Sequence, residues 1–319
     1  MKKTVETVTV KADDANIRLD RWFKRHYPAL SFTALAKMCR TGQVRVDGKR
    51  AQPADRLAAG ALIRVPPIAP CATAPVKAPR AALTPADVAF AQGLVIHKDV
   101  AVLVLNKPAG LATQGGPGIT RHVDMLLDAL KFEAEGRPKL VHRLDKDTSG
   151  VLLLGRTAGA AARLAEAFRA REAEKVYWAL VAGTPKKRAG KIVMALDKRR
   201  GPAGDKVEGA EDGKPARTQY RLIDHAAQRA AWLELKPLTG RMHQLRVHCA
   251  EGLGHPIVGD GKYGGKAAFV TGGVSRKLHL HARHIRIAHP LGGWLEATAP
   301  LPPHMRESWA MLGFVEGEA

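Results

Sequence analysis

A proline- and alanine-rich segment between Pro66 and Pro85 divides the chain into two parts with different patterns. It contains P-P-I-A-P-C-A-T-A-P-V-K-A-P-R, has no apolar period and is typical of a semi-rigid linker. The chain has 319 residues, about twice the length of a typical domain, so two domains are expected. We predict a small domain over residues 15–66, a linker over residues 67–92 and a larger domain over residues 93–319.

The segment before the linker contains the pattern of a small α+β domain. Helical spacing predicts helices over Arg18–Tyr27 and Ser31–Arg40. The Asp47-Gly48 pair in V-R-V-D-G-K-R is a strong signal for a hairpin turn, because both residue types tolerate a left-handed backbone. Ala61–Val65 is predicted to be a closing strand.

Basic side chains recur in three successive elements of this segment: Arg18, Arg21, Lys24, Arg25, Lys37, Arg40, Arg45, Lys49 and Arg50. On the first helix they cover one broad face, while Leu19, Trp22 and Phe23 supply apolar anchors. The whole chain carries 51 Lys and Arg against 30 Asp and Glu, a formal net charge of +21. This surplus favours a polyanionic partner such as nucleic acid, with a simple solvated helix face as the alternative.

The segment after the linker is dominated by short β-rich runs: Ala101–Leu105, Val151–Gly155, Val176–Val181, Thr218–Ile223, Ala231–Lys236, Arg241–His248 and Leu278–Ile287. Helical period appears over residues 123–130, with Thr120 near its start, and over residues 160–168. The strands do not alternate with helices as they would in a Rossmann sheet. We therefore predict a mixed or antiparallel sheet, so that the chain as a whole is α+β.

The stretch L-V-H-R-L-D-K-D-T-S-G-V-L-L-L-G combines a charged loop, Arg143–Ser149, with an apolar strand. Asp145 lies two residues from Arg143 and from Asp147, and nearby cations favour the charged form of a carboxylate. An ionised aspartate can act as a nucleophile or as a base. On the residues alone, a salt-bridged turn is the alternative.

A second stretch, E-K-V-Y-W-A-L-V-A-G, is predicted to be a strand. Its alternation places Lys175 and Tyr177 on one face and Val176 and Trp178 on the other. A core tyrosine is the alternative interpretation of Tyr177.

The sequence H-R-L-D-K-D-T-S-G at His142–Gly150 resembles the signature of the RluA/RluC/RluD-type pseudouridine synthases. N-K-P-A-G at Asn106–Gly110 and L-T-G-R-M-H-Q-L-R-V-H at Leu238–His248 resemble the first and third motifs of that family. G-H-P-I-V-G-D-G-K-Y-G and the ending A-P-L-P-P-H-M fit as well, so the resemblance covers residues 93–305 and is greatest to the RluC-like branch. Residues 17–65 resemble an S4 RNA-binding domain.

The resemblance implies roles for five residues. Asp145 would be the catalytic carboxylate, and Tyr177 would stack on the target uracil. Arg241 would lie against the carboxylate, and Leu245 would form a wall of the base pocket. Arg143 would occupy the space that a flipped nucleotide leaves, in line with the way enzymes extrude a base on which they act.

The implied activity is isomerisation of uridine to pseudouridine in structured RNA, without a metal or an organic cofactor. Large-subunit (23S) ribosomal RNA is the first expected substrate and transfer RNA the second. A non-catalytic S4-type RNA-binding or ribosome-assembly protein is the alternative, although such a protein would not need Asp145, Tyr177 and Arg241 together. We expect a monomer.

Other signals point away from metal, redox and membrane functions. His279, His281 and His284 could suggest a metal site, since the first two share a strand face. No third ligand of fitting geometry is expected near that pair, and arginines are interleaved with the histidines, so packing or RNA contact is favoured over a metal site. The three cysteines stand far apart, which favours reduced thiols. No leader or apolar run long enough to span a bilayer is found, so a cytoplasmic protein without membrane contact is expected.

Overall fold

The computed structural model describes residues 5–68, 82–116, 118–201 and 204–318. The chain divides between Ala81 and Ala82 into two compact units. Half of the predicted linker, residues 69–81 with Cys71 among them, lies outside the described residues.

The described residues of the small unit, 5–68, form two α-helices and a four-stranded antiparallel sheet of order β1-β4-β2-β3. Its elements are β1 Glu6–Thr9, α1 Leu19–His26, α2 Phe32–Arg40, β2 Arg45–Val46, β3 Lys49–Arg50 and β4 Leu62–Val65. Strand β1 precedes the predicted start at residue 15 and pairs with β4 along its whole length.

Local sequence signals explain the small unit. Leu19, Trp22 and Phe23 are buried on the inner face of α1, as predicted. Ser31 begins α2 as its N-cap, since its hydroxyl accepts a hydrogen bond of 3.2 Å from the Ala34 N–H. Asp47 and Gly48 both have positive φ, 49° and 75°, between β2 and β3, so the predicted hairpin is confirmed.

The large unit is built on an eleven-stranded mixed sheet in the described residues. Its strands are β5 Val95–Lys98, β6 Val102–Lys107, β7 Lys139–Leu140, β8 Ser149–Gly155, β9 Glu174–Ala182, β10 Ala189–Gly201, β11 Gly204–Gly209, β12 Lys214–Ala226, β13 Ala230–Pro237, β14 Leu280–Ala288 and β15 Trp294–Thr298. Its helices are α3 Pro85–Gly93, α4 Val123–Leu126, α5 Ala158–Ala170, α6 Gln244–Val247, α7 Gly261–Gly264 and α8 Pro303–Leu312.

The main path of this sheet has the order β11-β10-β12-β13-β9-β14-β8-β6-β5, while β15 pairs with β14 and β7 with β8. Strands β14 and β8 are parallel, and the other pairs are antiparallel. The predicted α+β class with a mixed sheet is therefore confirmed.

Gly150 allows the parallel pairing of β8 and β14. Its φ is 107°, and a Cβ atom at this position would lie 2.2 Å from the carbonyl oxygen of Ala282. Only glycine fits this close approach, which places the start of β8 and the loop before it against β14.

Three predictions about elements need correction. The segment predicted as a strand over Arg241–His248 instead contains α6, followed by a π-helical turn over His248–Gly252. All four residues of α6 are buried, so polar and apolar residues do not recur there with the spacing of a helix that has one exposed face. Residues 85–92 of the predicted linker belong to α3, which begins with a Thr84–Asp87 capping box and a proline in its first turn. Helix α4 is capped by the His122 side chain, not by Thr120.

No helix within the described ranges combines the length and the apolar character that crossing a membrane would require.

Candidate active site

Asp145 lies in the loop between β7 and β8, and hydrogen bonds hold the loop on both sides of this residue. The Thr113 hydroxyl donates to the Leu144 carbonyl at 2.8 Å and accepts from the Leu144 N–H at 3.2 Å. The Gly110 N–H donates to the Lys146 carbonyl at 3.0 Å. The carboxylate is therefore presented from a loop that is fixed directly before and after it.

Lys107 is a further support of this loop that the sequence interpretation did not single out. Its side chain is fully buried, and Nζ donates to the carbonyls of Pro108 at 3.0 Å, Leu111 at 2.8 Å and Lys146 at 3.0 Å. Burial lowers the pKa of Lys107 to about 7, against the opposing effect of the negative charges of Asp147 and Asp145. Its place within the N-K-P-A-G motif was the available signal.

One cavity of about 150 Å³ brings the five predicted site residues together. It is lined by side chains from the 143–148 loop, β9 and the segment around α6, including Arg143, Asp145, Tyr177, Arg241 and Leu245. A larger cavity of about 610 Å³ adjoins it and shares all of these except Leu245. The predicted residues thus surround one concave site.

The carboxylate of Asp145 has a histidine neighbour. His243 Nε2 lies 3.8 Å from Asp145 Oδ2, and His243 Nδ1 is 2.6 Å from the Tyr263 hydroxyl. Burial lowers the pKa of His243, while the charge of Asp145 acts to raise it. His243 has a left-handed backbone, φ 52°, where the chain turns into α6.

Arg246 is an arginine of the cavity lining whose pKa the charge of Asp145 helps to raise. Its guanidinium forms a buried bidentate ion pair with Asp260, in which Nε donates to Oδ2 at 2.8 Å and Nη2 donates to Oδ1 at 2.7 Å. Burial acts to lower the pKa of Arg246, but the hydrogen bonds and charge of Asp260, with a contribution from Asp145, raise it overall.

Arg241 lies at the rim of the cavity, where its Nε donates to the Pro215 carbonyl at 3.4 Å. Among the described residues, the expected pairing of Arg241 with Asp145 is not formed. Arg246 lies five residues later in the same motif. The motif therefore contained both arginines but did not indicate which of them interacts with Asp145 through its charge.

Tyr177 projects into the cavity from β9, and the predicted alternation of this strand is confirmed. Lys175 and Tyr177 line the cavity, whereas Val176 and Trp178 pack into a separate apolar core. Burial raises the pKa of Tyr177, and the charge of Asp145 adds to this, so its hydroxyl stays protonated. A neutral aromatic ring therefore faces a carboxylate, an arrangement suited to a flat, uncharged base.

In the small unit, the four cations predicted on the first helix lie around one surface depression. Arg18, Arg21, Lys24 and Arg25 line it together with Arg56, which the sequence interpretation missed. The pattern carried no signal for Arg56, because it lies in the turn-rich segment before β4.

Two of these cations already have carboxylate partners, since Arg18 pairs with Asp20 at 2.7 Å and Arg25 pairs with Asp14. The other predicted contacts are exposed and do not line the depression: Lys37, Arg40, Arg45 and Lys49.

The histidines near the C-terminal end of the chain have protein partners. His279 Nε2 is 2.8 Å from the Ser308 hydroxyl, His281 Nδ1 is 2.9 Å from the Ser149 hydroxyl, and His284 Nδ1 is 2.9 Å from the Thr298 hydroxyl. Within the part of the chain that the structure describes, no cluster of three or more His, Cys, Asp or Glu is arranged to hold a metal ion. Cys39 and Cys249 are free, buried thiols.

Comparison with known proteins gives consistent matches. A family model described as RNA pseudouridylate synthase matches residues 101–251, and one described as S4 domain matches residues 17–63. Ribosomal large subunit pseudouridine synthase C of Vibrio vulnificus is 35% identical over 94% of this chain and 94% of its own length. Mitochondrial RNA pseudouridine synthase 4 of Arabidopsis thaliana is 35% identical over 96% of this chain and 82% of its own. The solved structure of human RNA pseudouridylate synthase domain containing 4 aligns with a TM-score of 0.60 at 30% identity, covering 72% of this chain and 97% of that one.

Proposed function

Because the chain belongs to the RNA pseudouridylate synthase family, we propose that it isomerises uridine in large-subunit ribosomal RNA with Asp145 as its catalytic carboxylate. The observation that carries the assignment of Asp145 is its position on a fixed loop, in one cavity with Tyr177. The activity itself, conversion of uridine to pseudouridine in RNA, is that of the family.

The reaction breaks the N1–C1′ bond, turns the uracil while it stays bound, and joins C5 to C1′. The proton on C5 is lost and N1 gains one, so the reaction involves no redox change. We propose that Asp145 either attacks C1′ or removes the C2′ proton, two routes open to an ionised carboxylate. Tyr177 and Leu245 would form the walls that retain the free base.

The basic residues in and around the cavity would have different roles. We propose that Arg143 fills the place of the flipped nucleotide, since it is exposed at the mouth of the cavity. Arg241 would contact substrate from the rim, while Arg246 would supply the positive charge behind Asp145. Lys107 would hold the loop that carries Asp145 through its hydrogen bond to the Lys146 carbonyl.

The S4 domain is proposed to add affinity. Its exposed cations suit phosphates, which supply most of the sequence-independent affinity of nucleic-acid binders. Ribosomal RNA is favoured over transfer RNA because the bacterial relatives are named for the large ribosomal subunit. These relatives also favour a cytoplasmic location, although the Arabidopsis relative is mitochondrial. A monomeric state stays a prediction.

Asp145→Asn tests the assignment, since it keeps the size of the side chain and removes its charge. We expect a folded protein that binds RNA about as well as the wild type and forms no pseudouridine. Tritium release from 23S rRNA transcribed with 5-tritiated uridine measures turnover, and filter binding measures affinity.

Asp212→Asn, at an exposed turn, removes the same charge and should leave turnover intact. Substantial turnover by Asp145→Asn, after deamidation is excluded by mass spectrometry, would show that the assignment is wrong. A wild type without turnover on any RNA would favour the non-catalytic alternative. Mapping pseudouridines in total RNA from a strain lacking the gene would identify the substrate.

A further inference from the structure

The larger cavity beside the catalytic one has a lining that the reaction on uridine does not explain. Its volume is about 610 Å³, four times that of the catalytic cavity, and the two share Arg143, Asp145, Lys175, Tyr177 and Arg241. Because the cavities share these lining residues, a group in the larger one would lie beside a base bound in the catalytic cavity. We call it the outer cavity.

The charge around the outer cavity is strongly one-sided. Its lining contains four cations, Arg143, Arg171, Lys175 and Arg241, and a single carboxylate, that of Asp145. In the described ranges, the side chains of Arg143, Arg171 and Lys175 form no hydrogen bond or ion pair with the protein. A cavity lined by four cations and one carboxylate fits an anion from outside.

The pKa of Lys175 reflects the positive charge close to it. Burial lowers the pKa of Lys175, and the charge of Arg171 lowers it further. A bound anion would offset both effects.

The outer cavity also has aromatic side chains in its lining. Phe168 and His142 stack with ring centroids 4.4 Å apart, and both line the cavity. A lining that combines aromatic rings with cations suits a group with a flat ring as well as a phosphate, which describes a nucleotide.

Arg171 itself has a backbone that an arginine adopts only at a cost. It ends α5 in the left-handed conformation, φ 64°, where helices most often place glycine. Its N–H and that of Glu172 bond back to the carbonyls of the last helical turn, so the backbone geometry does not depend on the side chain. The cost of this backbone at an arginine motivates the hypothesis that its guanidinium has a use.

We propose that the outer cavity binds the RNA nucleotide that flanks the target uridine, with its phosphate held by Arg171 and Lys175. This rests on the proposed function, since it presupposes an RNA substrate whose target uridine occupies the catalytic cavity. The subsite would fix the strand on one side of the flipped base.

Arg171→Gly is the sharpest test, because it removes the cation and relieves the left-handed backbone. The variant should be at least as stable as the wild type in thermal unfolding. With tritiated 23S rRNA, we expect KM to rise about tenfold, equivalent to about 1.4 kcal/mol, while kcat stays within about twofold. The slope of log affinity against log salt should become shallower by about 1.

Two variants accompany it. Arg171→Lys keeps the charge and should recover most of the lost affinity. Arg306→Gln removes an exposed arginine of α8 that does not line the cavity, and it should leave KM and the salt slope unchanged. Filter binding in an Asp145→Asn background repeats the comparison without turnover.

Unchanged KM and affinity in Arg171→Gly would overturn the subsite, and so would a loss confined to kcat, which would indicate a role in positioning the catalytic loop. The two proposals fail separately. An inactive wild type whose RNA affinity still depends on Arg171 would refute the proposed reaction and leave the subsite standing.

Discussion

Replacing Lys107 with methionine tests whether a buried cation holds the catalytic loop. Methionine keeps an unbranched side chain but removes the Nζ that donates to three carbonyls at 2.8–3.0 Å. Lys107→Met leaves these three carbonyls without their donor, and removing one partner of a buried hydrogen bond costs about 1–3 kcal/mol. Because burial lowers the pKa of Lys107 to about 7, the substitution also removes a desolvation cost, which offsets part of this loss. We therefore expect Lys107→Met to lose about 2 kcal/mol of unfolding free energy.

The effect on catalysis should be larger than the effect on stability suggests. One of the three carbonyls belongs to Lys146, the neighbour of Asp145, and a misplacement of about 1 Å at a reacting group can cost about 100-fold in rate. We expect kcat for 23S rRNA to fall at least tenfold, with RNA affinity unchanged. Urea unfolding, tritium release and filter binding measure these three quantities.

Lys139→Met is the matched control, because Lys139 is exposed on β7 and should tolerate the same change. A Lys107→Met protein as stable and as active as the wild type would refute the reasoning. It would show that desolvation of the ammonium cancels its hydrogen bonds and that the loop holds its shape without them.

Three further predictions concern residues that support the elements around the site. Gly150→Ala should cost about 3 kcal/mol or more in urea unfolding, because its Cβ would meet the Ala282 carbonyl at 2.2 Å; a normal unfolding midpoint would contradict the close approach. Asp260→Asn leaves the guanidinium of Arg246 buried beside an uncharged partner. We therefore expect a loss of about 3–5 kcal/mol of unfolding free energy and reduced turnover. Unchanged stability and turnover would count against the buried pair. Burial lowers the pKa of His281 to about 4, so the unfolded chain binds a proton between about pH 6.5 and 4 that the folded chain does not, and stability falls as the pH drops through this window. His281→Gln should make that fall shallower by about 3 kcal/mol in unfolding experiments from pH 7 to 4; an equal slope in both proteins would exclude His281 as a cause.

Elements with a strong local signal could be predicted from the sequence, and elements specified by tertiary packing could not. The Asp47-Gly48 turn was predictable because two residues in the left-handed region leave few alternatives. Helix α6 was not, because its four residues are all buried and a buried segment shows neither a helical nor a strand period. Helix α3 was overlooked since its capping box follows directly on a proline-rich segment that was assigned to the linker as a whole.

The same limit applies to the two arginines, Arg241 and Arg246, that line the cavity with Asp145. If residues 241–248 formed a strand, Arg241 and Leu245 would share a face and Arg246 would point away from it. The chain instead turns at His243 into α6, and Arg246 is drawn to Asp260, fourteen residues further on. No local pattern links these two residues, because their pairing depends on the fold between them. The motif thus identified the residues near Asp145, but the position of Arg246, whose pKa the charge of Asp145 helps to raise, depends on a segment outside the motif. Substitutions at Asp260 should therefore alter catalysis although this residue does not line the catalytic cavity.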